Sequence, residues 1–360
     1  MLLLERRSER SRAMAYASPL LAVALTLLIG GVIFAIRGLD PLDALYVYFV
    51  EPVTTVWSLQ ELVVKAAPLV IIAVGLAVCF RAGVWNIGAE GQLTMGAIFG
   101  SAIPVLFTSW QSPLTLPLML LLGMAGGMSW AAIPAFLKNR FGANEILTSL
   151  MLVYVAQLLL DWLVRGPWRD PHGYNFPKTV AFEDYQVLPT LGDSRMHLGA
   201  VFALVAVAAL AIMMARMLKG FEVRVLGNAP RAGRFAGFSR SGIVWFVFLL
   251  SGALAGLAGI CEVAGPVGQL QPGISPGYGF TAIIVAFLGR LNPIGVLLAG
   301  LVLAVSYLGG EAAQVSLGIS DKVARVFQGI LLFLILACDT LILYRVRFVP
   351  KSRPQAAPAA

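Results

Sequence analysis

Two stretches of this chain set polar groups among glycines inside otherwise apolar sequence. The first, FRAGVWNIGAEGQLTMGA (residues 80–97), carries Asn86, Glu90 and Gln92 across the glycines Gly83, Gly88 and Gly91. The second, between Gly265 and Gly279, carries Gln269, Gln271 and Ser275. Each holds a Gly-Gln pair, Gly91-Gln92 and Gly268-Gln269. Glycine-rich interruptions of this kind break a helix, and non-helical backbone at membrane depth is tolerated only where protein or a water-filled cavity satisfies it. Amide and hydroxyl groups there suit a solute rich in hydroxyls and ring nitrogens. The lack of a central Arg or Lys cluster argues against phosphates and other anions. Two roles stay open for these residues: lining a solute pathway, or capping helix ends and satisfying neighbouring backbone, which an Asn-x-x-x-Glu spacing also fits.

Other chemistry is sparse. There is no GxxxxGK[ST] loop and no lysine that follows a glycine, so the sequence offers no phosphate cradle of its own. HExxH and paired-cysteine metal motifs are missing from it. Cys79, Cys261 and Cys338 stand singly in or beside apolar runs and read as buried structural thiols. His172 and His197 lie in or next to one loop and read as surface residues. The acids within apolar sequence, Glu90, Glu145, Asp161, Glu262 and Asp339, lie mostly near helix ends. These observations disfavour an enzyme, a bound metal or a bound cofactor, and favour a pore or carrier.

The elements that must position these groups are membrane helices. The 360 residues are 59% hydrophobic and only 12% charged, against about 25% charged in a soluble domain. The net charge of +8 comes from basic residues that punctuate apolar segments rather than forming one stripe, so no nucleic-acid partner is expected. Runs of about 20 apolar residues mark crossings. Clear ones cover 18–36, 62–80, 114–136, 146–164, 198–217, 242–262 and 324–343, and Gly-rich or short ones lie near 91–108, 277–290 and 293–309. The expected fold is an all-α polytopic membrane protein of about ten transmembrane helices with two Gly-rich broken or re-entrant segments. An even count with a cytoplasmic N-terminus keeps most basic residues inside, including the C-terminal YRVRFVPKSR. Residues 1–17 are then a cytoplasmic N-terminal segment, 18–343 the permease-like membrane domain and 344–360 a cytoplasmic tail, its last ten residues disordered in composition. An outer loop spans about 165–197, an inner one about 218–241, and 39–57 reads as an outer interfacial amphipathic helix. The small-xxx-small spacings of GALAGLAG (252–259) and GMAGG (123–127) read as helix-packing faces.

The inner loop contains GNAPRAGRFAGFS. Gly227 and Asn228 read as helix-start residues, with Pro230 in the first turn where it is tolerated. Ala232, Gly233 and Ala236 leave one face flat, Phe235 and Phe238 supply anchors, and Gly237 ends the helix. A short surface helix offered to a cytoplasmic groove fits this pattern. A basic loop held by anionic lipid headgroups fits it too.

The segment VRVLGNAPRAGRFAGFS resembles the coupling segment of ABC-importer inner-membrane permeases of the branched-chain amino acid, ribose and nucleoside group, though Asn228 follows Gly227 directly and Gly233 replaces a common alanine. FRAGVWNIGAEGQLTMGA is similar to a signature of the simple-sugar and nucleoside branch, as is GPVGQLQPGISPGYGFTAIIVAFLGRLNPIG. The resemblance covers roughly residues 60–340. It implies a homo- or heterodimeric channel, the heterodimer being favoured, in a bacterial inner membrane. Two cytoplasmic ATP-binding subunits would use the ATP, and an extracytoplasmic substrate-binding protein would deliver a nucleoside or simple sugar. Arg224, Gly227, Asn228, Arg231, Ala232, Gly233, Arg234, Phe235, Gly237 and Phe238 would form the ATPase contact. An ion-coupled secondary transporter is the competing reading; such a carrier usually sets an acid at the membrane midplane, whereas Asp161 and Glu262 sit near helix ends.

Overall fold

The computed structural model describes residues 2–6, 12–108, 110–320 and 344–348, with 325–326, 329–330, 333–334 and 337–338 lying between the last two ranges. The expected crossing at 324–343 lies largely outside the described residues, as do Asp339 and the last ten residues of the chain. Twelve α-helices are bounded within the described residues. Six are long and apolar enough to cross a membrane: 56–81, 115–141, 145–165, 199–216, 240–267 and 293–317. Residues 24–36 and 278–288 form shorter apolar helices.

The chain divides into two compact units, residues 1–50 with 310–360, and residues 51–309. In the first, α1 (Arg12–Ile36) is followed by the nine-residue α2 (Pro41–Phe49). Asp40 starts α2 by accepting a hydrogen bond from the Leu42 amide (2.8 Å), and Pro41 occupies the first turn, where its missing N–H is harmless. Only part of the expected 39–57 segment is thus a continuous helix. Phe34, Ala44 and Tyr48 are buried with Ala313 and Ile319 in a small core. The sequence expectation of purely helical structure needs one amendment: β1 (Leu2–Arg6) pairs antiparallel with β2 (Tyr344–Phe348), Leu4 opposite Val346.

The second unit is built around α3 (Val56–Arg81), in which every residue from Ala66 to Phe80 is buried. A helix that is apolar all round belongs in the middle of a bundle, and α3 takes that place. Against it pack α7 (Gly199–Arg216), α10 (Arg240–Glu262), α11 (Tyr278–Leu288) and the start of α12 (Pro293–Leu317), while α4 (Ala89–Leu106) and α5 (Thr115–Phe141) pack on α10 and α6 (Glu145–Arg165) on α4. After α7 come α8 (Leu218–Asn228) and α9 (Pro230–Phe235). The small-residue spacings act as packing faces. A Cβ on Gly96 would run into the backbone of Gly256, and one on Gly127 into Gly252 and Gly256. Helices α4, α5 and α10 therefore meet backbone to backbone, and dispersion contacts replace the hydrophobic drive that lipid removes. Cys79, Cys261 and Cys338 are free and buried, as the sequence suggests.

Candidate functional site

The first break separates α3 from α4. Gly83 turns the chain with a left-handed φ of +69°, and residues 84–88 are non-helical until Ala89 starts α4. Asn86 is fully buried and all its polar atoms are used. Its Nδ2 donates to Gln92 Oε1 (3.0 Å) and lies 3.1 Å from the Ser251 hydroxyl on α10. Its Oδ1 accepts from Gln92 Nε2 (3.1 Å) and from the Gly88 amide (3.0 Å). Asn86 and Gln92 are thus paired side chain to side chain, which the capping reading only half anticipates.

The N-terminal end of α6 clamps the same break. The Trp85 amide donates to the Glu145 carboxylate, which also pairs with Lys138 at the end of α5. The Ile87 amide donates to the Ser149 hydroxyl (3.2 Å). Gly88 and Gly91 are required by this approach: a Cβ would stand 2.8 Å from the Ser149 carbonyl in one case and 2.9 Å from Val153 Cα in the other. Trp85 also lies on Phe287 of α11, ring centroids 5.9 Å apart, and Phe287 stacks on Phe80 at 5.0 Å.

The second break runs from a π-type turn at Val263–Val267, which contains Pro266, to the start of α11. Gly268, Gly273 and Gly277 all have left-handed φ. The turn and its proline free several backbone groups, and the 165–197 loop satisfies them. Leu188 and Phe182 amides donate to the carbonyls of Ala264 (2.7 Å) and Gly268 (2.8 Å). Thr179 bonds Leu270 twice, amide to carbonyl at 2.9 Å and hydroxyl from amide at 3.0 Å. The outer loop is therefore a strap laid along the break. His197, expected at the surface, is buried instead, its ring against Gly265 and its Nδ1 accepting from the Gly199 amide (3.1 Å). Burial without a charged neighbour pushes its pKa below the usual histidine value.

The two breaks meet at Glu90. Its Oε2 accepts from the Gly279 amide (2.6 Å), and its carboxylate also bonds Ser275. Ser275 in turn accepts from the amides of Gly277 (3.1 Å) and Tyr278 (3.0 Å), which starts α11. Beside this junction lies a cavity of about 410 Å³ lined by Glu90, Thr94, Tyr154, Gln157, Asp161 and Ser275, with Leu158, Leu160, Pro272, Gly273 and Ile274. Of the six sequence-derived pathway residues, Glu90 and Ser275 line this cavity. Asn86 and Gln92 are turned into the protein, and Gln269 reaches towards Gln271 (3.5 Å) outside it. Sequence reasoning missed Tyr154 and Gln157 and weighed Asp161 only as an isolated acid. Their signal was the 3- and 4-residue spacing of polar side chains along an apolar helix.

The inner segment departs from expectation at its start. Gly227 and Asn228 end α8 rather than beginning a docking helix; Pro230 begins α9 after Ala229. Gly227 is there for contact, because a Cβ would collide with the Arg81 carbonyl at the end of α3, and Gly83 lies against it. The end of α9 follows the expectation. Gly237 has φ +81°, its amide donates to Arg234 O (3.0 Å), and the Phe238 amide to Gly233 O (3.0 Å). Phe235 is 94% exposed, whereas Phe238 turns back edge-on to Phe221. Arg224, Asn228, Arg231, Ala232 and Arg234 are exposed, and Gly233 is buried against Leu226.

Comparison with known proteins gives a consistent answer. Residues 58–336 match the family model described as branched-chain amino acid transport system / permease component. The glucose ABC transporter permease protein TsgB13 of Haloferax volcanii is 40% identical over 357 residues, covering 96% of this chain and 93% of that protein. The guanosine ABC transporter permease protein NupP of Bacillus subtilis is 28% identical over 92% of this chain and 94% of its own length. The nucleoside ABC transporter permease protein NupB of Lactococcus lactis is 26% identical over 88% of this chain and 89% of its own length.

Proposed function

The chain belongs to the family of branched-chain amino acid transport system permease components, integral membrane subunits of ABC transporters, and from that premise we propose that it conducts a simple sugar or nucleoside. The observation that carries this reading is the cavity at the junction of the two breaks. Its lining offers carboxylate, amide, phenol and hydroxyl groups and no Lys or Arg. Such a lining accepts hydrogen bonds from hydroxyls and repels phosphates. Glu90 and Ser275 face the cargo, while Asn86 and Gln92 hold the first break in shape.

The chain binds no nucleotide itself. Separate cytoplasmic subunits hydrolyse ATP and dock on the 218–241 segment, with Phe235 as the exposed anchor and Arg224, Arg231 and Arg234 around it. A second permease, a different chain rather than a copy, completes the channel, and an extracytoplasmic binding protein delivers the cargo. Ten crossings with both ends cytoplasmic are supported by the distribution of basic residues and by the β1–β2 pairing, which brings the two ends of the chain together.

The test is uptake by proteoliposomes holding this chain with its ATPase subunits, partner permease and binding protein. Uptake of radiolabelled glucose or guanosine that requires ATP hydrolysis is expected. Uptake driven by a proton or sodium gradient without ATP would overturn the coupling in favour of a secondary carrier.

A further inference from the structure

We propose that the α6 face formed by Tyr154 and Gln157, with Asp161 one turn further on, is the wall of the cavity that discriminates among neutral solutes by their hydroxyl pattern. The inference rests on the reading of the chain as a sugar or nucleoside permease and adds the residues that choose the cargo.

The argument is one of remaining hydrogen-bonding capacity. Asn86 and Gln92 satisfy each other, Ser251 and Gly88, and have little left to offer. Ser275 already accepts two amides and bonds Glu90, whose own Oε2 is taken by Gly279. Thr94 donates its hydroxyl to the Glu90 carbonyl (2.9 Å). Pro272 and Gly273 bring no polar side chain. On the side of the breaks, then, the lining is committed to holding the fold.

On α6 the situation is reversed. Tyr154, Gln157 and Asp161 fall on one face at spacings of three and four, and all three line the cavity. Tyr154 and Gln157 are exposed and hydrogen-bond no group among the described residues. Asp161 is held by Arg165, whose Nε lies 2.8 Å from both carboxylate oxygens, yet each oxygen keeps a further lone pair. A glutamine in the middle of a span is costly beside lipid, so this face must look onto something polar. An amide that donates and accepts, a phenol that does both, and a carboxylate that only accepts can distinguish a solute with a given hydroxyl from one without it. Truncating a group that binds a substrate hydroxyl leaves the analogue lacking that hydroxyl almost unaffected, so selectivity collapses before transport does.

The experiment measures ATP-driven uptake by the complete reconstituted transporter for glucose, 2-deoxyglucose, guanosine and 2′-deoxyguanosine. It compares wild type, Gln157→Ala, Tyr154→Phe and the control Val155→Ile, whose side chain is exposed and outside the cavity lining. For whichever pair wild type transports, Gln157→Ala should cut the kcat/KM preference for the fully hydroxylated member about five- to tenfold. Tyr154→Phe should cut it less, through KM, and Val155→Ile not at all. An unchanged ratio in both cavity variants, with uptake preserved, overturns the proposal. So does separation of the two permeases on size-exclusion chromatography in those variants, which assigns the face to subunit contact. If wild type carries none of the four solutes under ATP, the cargo reading falls and this inference with it; a wild type that transports while its variants keep their ratio removes the inference alone.

Discussion

The two breaks solve one problem by opposite means. In the first, side chains do the holding: Asn86, Gln92 and Ser251 form a closed buried set, with Ser149 and Glu145 of α6 gripping the non-helical backbone. In the second, backbone does it: strap amides meet the carbonyls of Ala264, Gly268 and Leu270, and three left-handed glycines make the turns. A buried, fully satisfied side-chain network fixes one geometry, because any partial opening strands polar groups away from water. The strap bonds are separate main-chain pairings, buried around Thr179, Phe182 and Leu188, so losing one leaves the others in place. The first break is thus a fixed wall, and the second is the side that can yield.

Disrupting the wall should give the largest effect. Asn86→Leu strands Gln92 and the Gly88 amide inside the bundle, and a loss of about 3 kcal/mol is expected. Thermal unfolding in detergent should show it as a sharply lower Tm or loss of folded protein; a variant as stable as wild type removes the contrast. Glu90→Gln tests the seam, since the amide oxygen can still accept from Gly279 while an NH2 group replaces the second acceptor. About 1–2 kcal/mol of stability should be lost, and uptake should fall more than folding does. A variant that folds and transports normally makes the junction passive.

Thr179→Val removes both side-chain roles at the strap and leaves the Leu270 amide unpaired. About 1 kcal/mol is expected, confined to the second break. Hydrogen exchange should accelerate at 263–277 and stay unchanged at 83–92; equal acceleration at both would show that the two move together. His197 should give the smallest effect. Burial lowers its folded pKa, so the folded state prefers the neutral ring and the unfolded state takes up the proton first. Stability is complete above the ordinary histidine value of about 6.5 and declines as pH falls below it. The Tm of wild type between pH 7.5 and 5.5 should fall more steeply than that of His197→Gln, and parallel curves would exclude a role for the ring.

The breaks were legible because glycine density and polar residues in apolar sequence are local signals. The small-residue helix faces were legible for the same reason. What holds the breaks was not. Ser251 lies 165 residues from Asn86, and the strap acts through main-chain groups, which carry no residue-type code. Gly227 and Asn228 have the composition of a helix start, but Pro230 fixes φ for a first turn and lacks the N–H an interior position needs, so the new helix begins at it. His197 sits beside a loop rich in charged residues, and only its fold onto Gly265 reveals that it is enclosed. The α6 face was visible as a pattern but acquired meaning only when the breaks came to rest beside it.

The contact of Gly227 with the Arg81 carbonyl, next to Gly83, bears on how motion crosses the inner side of this protein. Where side chains separate two elements, a rotamer change can absorb a small displacement. Here main chain rests on main chain, with no torsion available to take up slack. The joint is stiff, and a shift of α8 by a fraction of an ångström carries the turn at Gly83 with it as one body.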